Sequence, residues 1–235
     1  MDYFLTEEQL MVRDLARRIA RERIRPVAGE LDEREEFPWE VVKVLAEGDL
    51  FGVWIPEKYG GLGGGVLEQC LVLEELSWAC AGVATTYAAS ALGAIPILLF
   101  GSEEQKEKYL PDLAAGRKLA AFALTEPGAG SDAAGIQTTA VRDGDYYILN
   151  GVKQWITNAG EADIYVVMAT VDREKGYRGI TAFIVEKGAP GLEFGKKEKK
   201  MGIRASATRE LVFQDCYVPK ENLIGKEGMG FIVTM

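Results

Sequence analysis

Not one of the 235 residues is a histidine. That removes the Ser-His-Asp relay, histidine metal sites and the usual general base of neutral pH. Any acid–base step falls to a carboxylate, a lysine, a tyrosine or a group on the substrate. Cysteine is scarce too. Cys70, Cys80 and Cys216 are an odd number without CxxC spacing, which speaks against a disulfide framework and against a zinc site. A reducing, cytoplasmic compartment fits that set. The first eight residues lack the basic and apolar regions of a secretory leader. Positive charge is in deficit: the net charge of −9 argues against nucleic acid and anionic membranes as main partners. Lys196-Lys-Glu-Lys-Lys200 is a local basic run, better explained as a solvated charged face than as a phosphate site. Leu76 to Ser102 carries no charge at all, which raises the question of a membrane span. Its Gly82, Thr85, Thr86, Ser90, Gly93 and Pro96, and the absence of a flanking basic cluster, point instead to a buried helix beside a site.

What the chain does have is a hydrophobic content of 48%, ample for a core, and a change of pattern halfway along. Thr6-Glu-Glu-Gln9 has the form of a capping box, and Val12, Leu15, Ala16 and Ile19 then recur at helical spacing. That helix is expected to reach about Pro26. A second runs from Pro38 to Glu47 and stops at Gly48. Five glycines between Gly60 and Gly65 make a loop, but no Gly-Lys-Ser/Thr follows, so it is not read as a phosphate loop. Val66 to Cys80 and Val83 to Phe100 read as helices, the latter disturbed at Gly93 and Pro96. A second capping box at Ser102 opens another helix, to about Ala115.

After Lys118 the pattern turns to alternation. Strands are expected at Leu119–Leu124, Gly135–Arg142, Tyr146–Asn150, Lys153–Thr157, Ile164–Val171, Ile180–Val185 and Glu210–Phe213. Asp143-Gly144 marks a hairpin. Helices first and strands afterwards give an α+β fold: an all-helical domain over 1–117, an antiparallel β-domain over 118–220, and a connector with the start of a further helical element over 221–235.

The chemistry is concentrated between Lys118 and Thr157. An apolar strand breaks into Thr125-Glu-Pro-Gly-Ala-Gly-Ser-Asp132, where Pro127 fixes one dihedral and Gly128 and Gly130 free others. Such a loop aims backbone N–H groups and a hydroxyl at one spot. Further on, Trp155 offers a flat apolar face with one N–H, and Thr157 a hydroxyl. By spacing alone a turn and a core tryptophan would account for both stretches.

The wording of these stretches closely resembles the acyl-CoA dehydrogenase family, and the resemblance runs along the whole chain. It is carried by Leu124-Thr-Glu-Pro-Gly-Ala-Gly-Ser-Asp132, Asn150-Gly-Val-Lys-Gln-Trp-Ile-Thr-Asn158, Lys200-Met-Gly-Ile-Arg-Ala-Ser206 and Asn222-Leu-Ile-Gly-Lys-Glu-Gly-Met-Gly230. The resemblance implies a helical domain, a β-domain and a C-terminal helical bundle, the last missing from this sequence. It implies FAD as cofactor and an acyl-CoA as substrate. It also implies electron-transferring flavoprotein as partner, and a homotetramer. Carried onto matching positions, it places Phe122, Ala123, Leu124, Thr125, Gly130, Ser131, Trp155, Ile156 and Thr157 around FAD. Ser131 also faces the CoA, and Thr85, Ala88 and Leu92 line the acyl pocket. The family's catalytic glutamate falls beyond Met235, and Glu126 matches a structural position, so no catalytic residue is assigned. Two other readings stay open. One is an acyl-CoA oxidase or flavin monooxygenase of the same superfamily. The other is an inactive fragment or non-catalytic flavin- or acyl-CoA-binding subunit.

Overall fold

The computed structural model describes residues 4–235. The reading of the N-terminus as leaderless rests in part on Met1 to Tyr3, which lie outside the described residues. The helical half comprises α1 (Glu7–Ile19), α2 (Ala28–Arg34), α3 (Trp39–Glu47), α4 (Val66–Ala79), α5 (Ala81–Phe100) and α6 (Glu103–Ala114). The sheet half comprises β1 (Ala120–Ala123), β2 (Thr139–Asp143), β3 (Tyr146–Thr157), β4 (Ile164–Thr170), β5 (Ile180–Glu186), β6 (Leu192–Phe194), β7 (Thr208–Pro219) and β8 (Leu223–Ile224). A short helix, α7 (Gly230–Thr234), follows.

Both capping boxes form. Thr6 Oγ1 accepts from the Gln9 N–H while the Gln9 side chain accepts from the Thr6 N–H, and Ser102 and Gln105 repeat the exchange. Beyond α1 a π-helical turn, Ala20–Ile24, carries the chain to just short of Pro26. The short α2 was not anticipated; none of its residues is buried, so it shows no apolar stripe to find. The expected disturbance of α5 does not occur. Gly93 and Pro96 sit inside one continuous helix of 20 residues, and Gly93 has a packing role. A Cβ there would lie 2.8 Å from both the Ala120 Cβ and the Ala121 nitrogen. The absent side chain is what lets β1 lie directly on the helix. By length and composition α5 could cross a membrane, yet 61% of its apolar window is buried within the fold.

The strands form one sheet in the order β6-β7-β3-β2-β4-β5-β8, with β1 added beside β4. Most pairings are antiparallel, but β1 runs parallel to β4, and β2 meets β4 in parallel at Thr139–Thr170. The sheet is therefore mixed where a purely antiparallel one was expected. The reason is topological: the β2–β3 hairpin lies between β1 and β4 in the chain, so β1 reaches β4 by a long crossover and not by a turn. The Asp143-Gly144 hairpin forms, with Asp143 opposite Tyr146. Tyr146–Asn150 and Lys153–Thr157 prove to be one bent strand, and β7 is longer than the expected Glu210–Phe213. The two short strands β6 and β8 carry too few residues for an alternation to register.

One continuous core joins the halves. α1 packs on α4, α4 on α5, and α5 on β1. The seam is built of small residues, with Ala84, Ala91 and Ala94 facing Ala120, Ala121 and Ala123, all at most 3% exposed. Small side chains bring the helix close enough for the Ser90 hydroxyl to accept from the Ala120 N–H at 3.1 Å. The end of β1 is thus fixed against a rigid support, and the site begins where β1 ends.

Candidate functional site

Two segments meet beyond Ala123, the loop from Leu124 to Asp132 and the C-terminal half of β3, and α5 packs against the latter and β1. Between Lys153 and Ile156 the register of β3 on β7 slips, with Gln154 and Trp155 opposing the single residue Glu210. This is a β-bulge, and bulges re-aim side chains. Trp155 takes a left-handed backbone there, φ 62°, and its indole is turned outward, 56% exposed. The same bulge frees the Gln154 N–H from β7, and it donates to the Thr125 carbonyl at 2.8 Å. Thr125 is therefore joined by one hydrogen bond to Gln154, the residue before Trp155.

Beneath them lies a buried ion pair. Lys153 is 0% exposed, and its Nζ reaches Glu126 Oε1 at 2.7 Å and the Leu124 carbonyl at 3.0 Å. Glu126 is itself buried and accepts the N–H groups of Gln137 at 2.5 Å and Thr138 at 3.0 Å. Those two amides are unavailable to the sheet, which explains why β2 starts at Thr139 and not at the expected Gly135. Burial pushes the Lys153 ammonium down, to about 8, against the opposing pull of Glu126. For Glu126 burial pushes upward, but the Lys153 charge and the amide donors outweigh it and hold the carboxyl below its ordinary range.

A second anchor is Asn158, fully buried with φ 64°. Its Nδ2 donates to the Thr86 carbonyl of α5 at 2.9 Å and to the Ala120 carbonyl of β1 at 3.3 Å, and its N–H donates to the Ala207 carbonyl. One residue, through its side chain and its backbone N–H, ties together the helix, the strand and the segment that leads into β7.

The residues singled out in the sequence fall as follows. Leu124, Thr125 and Phe122 are half-buried at the end of β1, whereas Ala123 is fully buried and presents only backbone. Gly130 and Ser131 are exposed on the loop. Trp155 is exposed, Thr157 half-buried and Ile156 buried. Thr85, Ala88 and Leu92 share one stripe of α5, the first two half-buried and Leu92 51% exposed. Among the described residues, the hydroxyls of Thr125, Ser131 and Thr157 and the Trp155 indole N–H have no intramolecular partner. The Thr85 hydroxyl, in contrast, is occupied by the Ala81 carbonyl at 2.8 Å. Two of the basic-run lysines turn inward: Lys197 donates to the Glu35 carbonyl, and Lys200 to Ser206 and Thr208.

Sequence reasoning gave Lys153 and Asn158 no role, although both lie in the quoted motif. The available signal was a lysine as the one charged residue of β3, with a glutamate in the loop opposite. A cavity of about 600 Å³ elsewhere, between Tyr146, Glu186 and Tyr217, contains none of the residues singled out.

Residues 6–117 match the family description "Acyl-CoA dehydrogenase, N-terminal domain", and residues 121–216 match "Acyl-CoA dehydrogenase, middle domain". A short-chain-specific acyl-CoA dehydrogenase of Clostridium acetobutylicum is 49% identical over the whole chain, which covers 62% of that relative. The solved butyryl-CoA dehydrogenase of Megasphaera elsdenii superposes with a TM-score of 0.95 at 48% identity, over 99% of this chain and 62% of the other. An acyl-CoA dehydrogenase of Bacillus anthracis, solved in complex with FAD, gives 0.89 at 42% identity, over 98% of this chain and 39% of the other. The chain thus spans about three fifths of the length of the curated relatives it matches. It belongs to the acyl-CoA dehydrogenase family, of which it carries the N-terminal and middle domains.

Proposed function

We propose that this chain forms the helical and sheet parts of an FAD-dependent acyl-CoA dehydrogenase. The enzyme removes two hydrogens from the α and β carbons of an acyl-CoA thioester, giving the trans-2-enoyl-CoA. It passes the electrons to electron-transferring flavoprotein. The carrying observation is the set of free polar groups beside an outward-turned indole: Thr125, Thr157 and Trp155 around one bulge. Two half-buried hydroxyls and the N–H of an exposed indole, left open on adjoining segments beside a flat aromatic face, suit a planar ring with a polar rim.

In this reading Phe122, Leu124 and Thr125, with the Ala123 backbone, bind one side of FAD. Trp155, Ile156 and Thr157 cover another, and Gly130 and Ser131 close the loop around it. A Cβ at Gly128 or Gly130 would meet nothing within 4 Å, so the loop has room on its open side. FAD, when bound, supplies the hydride acceptor for the β-hydrogen. Ser131 orients the CoA portion, and the α5 stripe of Thr85, Ala88 and Leu92 borders the acyl chain. No arginine lies between Val83 and Phe100 to pair with a second carboxylate, which favours a plain or branched acyl group. The α-proton goes to a carboxylate outside these 235 residues. Glu126 does not serve, because its oxygens are committed to Lys153, Gln137 and Thr138. The domain limits of 1–117, 118–220 and 221–235, a homotetramer and a cytoplasmic location complete the proposal.

The test is anaerobic titration of the purified natural polypeptide with butyryl-CoA. Bleaching of a bound flavin spectrum with formation of the enoyl-CoA is expected. A protein that carries no flavin, or whose flavin stays oxidised with every acyl-CoA offered, overturns the reading. Rapid oxygen uptake during turnover would move it to the oxidases.

A further inference from the structure

Lys153 and Glu126 have no place in the chemistry just described, yet they form the most deeply buried ion pair among the described residues. Burying two charges is expensive, and a well-packed apolar pair of equal volume is often as stable or more so. The contacts around this pair have a regular order. Lys153 Nζ holds the Leu124 carbonyl, the Gln154 N–H holds the Thr125 carbonyl, and Lys153 Nζ again holds the Glu126 carboxylate. The loop after β1 has no strand ladder to β3, since β1 pairs with β4. The lysine side chain stands in for the missing ladder. Glu126 then extends the hold to Gln137 and Thr138, closing the whole loop from Leu124 to Thr138 on one buried point. An apolar substitute would fill the space but bind neither the carbonyl nor the amides.

We propose that Lys153 and Glu126 are positioning residues: a buried clamp that fixes the direction in which Thr125 and the Pro127–Ser131 loop face the flavin. This rests on the flavin reading of the preceding subsection. The clamp acts through Thr125 and the loop, not by touching the cofactor. It couples the two sides of the site, since Lys153 directly precedes the bulge that turns Trp155 outward.

The test uses Lys153→Met and Glu126→Gln in the natural polypeptide, with Leu45→Ala as a control. Leu45 is 1% exposed in α3, in the helical part of the core, so its loss lowers thermal stability without touching the loop. Two quantities are read: the FAD dissociation constant, and amide hydrogen exchange at Gln137 and Thr138 in the flavin-free protein. Lys153→Met is expected to raise both at least tenfold, while Leu45→Ala lowers the melting temperature and leaves both within twofold. Lys153→Met behaving like Leu45→Ala would overturn the clamp. If Lys153→Met yields no folded protein, Glu126→Gln is judged by the same thresholds. If the wild type takes up no FAD, the flavin reading falls, and amide exchange alone decides: a tenfold rise supports the clamp and unchanged exchange overturns it.

Discussion

Gly93→Ala is the sharpest test of how the site is supported. In an isolated helix this change stabilises by about 1 kcal/mol, because glycine is the costlier residue in a helix interior. Here the new methyl would stand 2.8 Å from the Ala120 Cβ, 2.8 Å from the Ala121 nitrogen and 2.9 Å from the Ala121 carbonyl carbon. Ordinary carbon contacts begin near ~3.5 Å, so helix and strand must part by roughly 0.7 Å. Two of the three atoms are backbone, and that backbone is paired to β4, so no side chain can swing aside. Overpacking of this kind costs about 1–3 kcal/mol. The hydrogen bond from the Ala120 N–H to Ser90 lengthens with the same movement, at about 1 kcal/mol more. After the helix gain is subtracted, a net loss of about 1–3 kcal/mol is expected by urea unfolding of the natural polypeptide. Flavin affinity should weaken as well, because β1 leads directly to Thr125. Gly29→Ala is the counter-case: it too is helical, with nothing within 4 Å of an added Cβ, and is expected to be neutral or stabilising. A Gly93→Ala protein at least as stable as the wild type would refute the close-seam account.

Other expectations are independent of that seam. Cys70 is exposed and Cys216 buried, with its thiol pushed up to about 11 by burial, so a thiol reagent at pH 8 should label Cys70 first and Cys216 only on unfolding. Native-state labelling of Cys216 would contradict its burial. Glu103 accepts from Lys58, Lys106 and the Tyr59 hydroxyl, contacts that hold its carboxyl down, at about 2. Its folded value lies below its unfolded one, so its contribution is complete above the ordinary carboxylate range and is lost as pH falls through about 2. Glu103→Gln should therefore flatten the fall in stability between about pH 5 and pH 2; an unchanged acid limb would show that the three contacts do not persist in solution. Asn158→Gly keeps the left-handed backbone but loses the bonds to Thr86 and Ala120, at about 1–3 kcal/mol. Asn158→Ala adds about 1 kcal/mol of strain, and equal stabilities for the two variants would remove the backbone from the explanation.

Much of the architecture was legible because local signals and the global fold agree. The capping boxes at Thr6 and Ser102, the stop at Gly48 and the Asp143-Gly144 hairpin are short-range devices, and each formed where it was read. The misreadings share a different cause. Gly93 looked like a defect in a helix because its partner, Ala120, lies 27 positions away and no local rule reveals it. The expected strand from Gly135 starts late because the Glu126 carboxylate takes the amides of Gln137 and Thr138, again a distant side chain overriding a local pattern. The parallel β1–β4 pairing was hidden for the same reason. At the candidate site the motif wording picked out segments that the fold brings side by side, but the bulge at Trp155 needs the register of β7, which the sequence of β3 does not contain.

The backbone at that bulge also bears on where a ligand is proposed to sit. Six non-glycine residues among those described have positive φ. Asn and Asp tolerate the left-handed region because a short polar side chain can bond locally; tryptophan gains nothing of the kind. Trp155 therefore bears strain of about 1–2 kcal/mol. It is held there by neighbours that cannot relax, with Lys153 buried on one side and Ile156 and Asn158 on the other. The tryptophan itself is over half exposed and recovers little of that cost inside the fold. Strain that persists at an exposed aromatic residue between buried anchors fits selection for what the residue meets outside. The cavity near Tyr146 is roomy, but its lining holds no non-glycine residue with positive φ. Backbone strain, the free hydroxyls of Thr125 and Thr157 and the buried pair beneath them support the proposed site at Trp155.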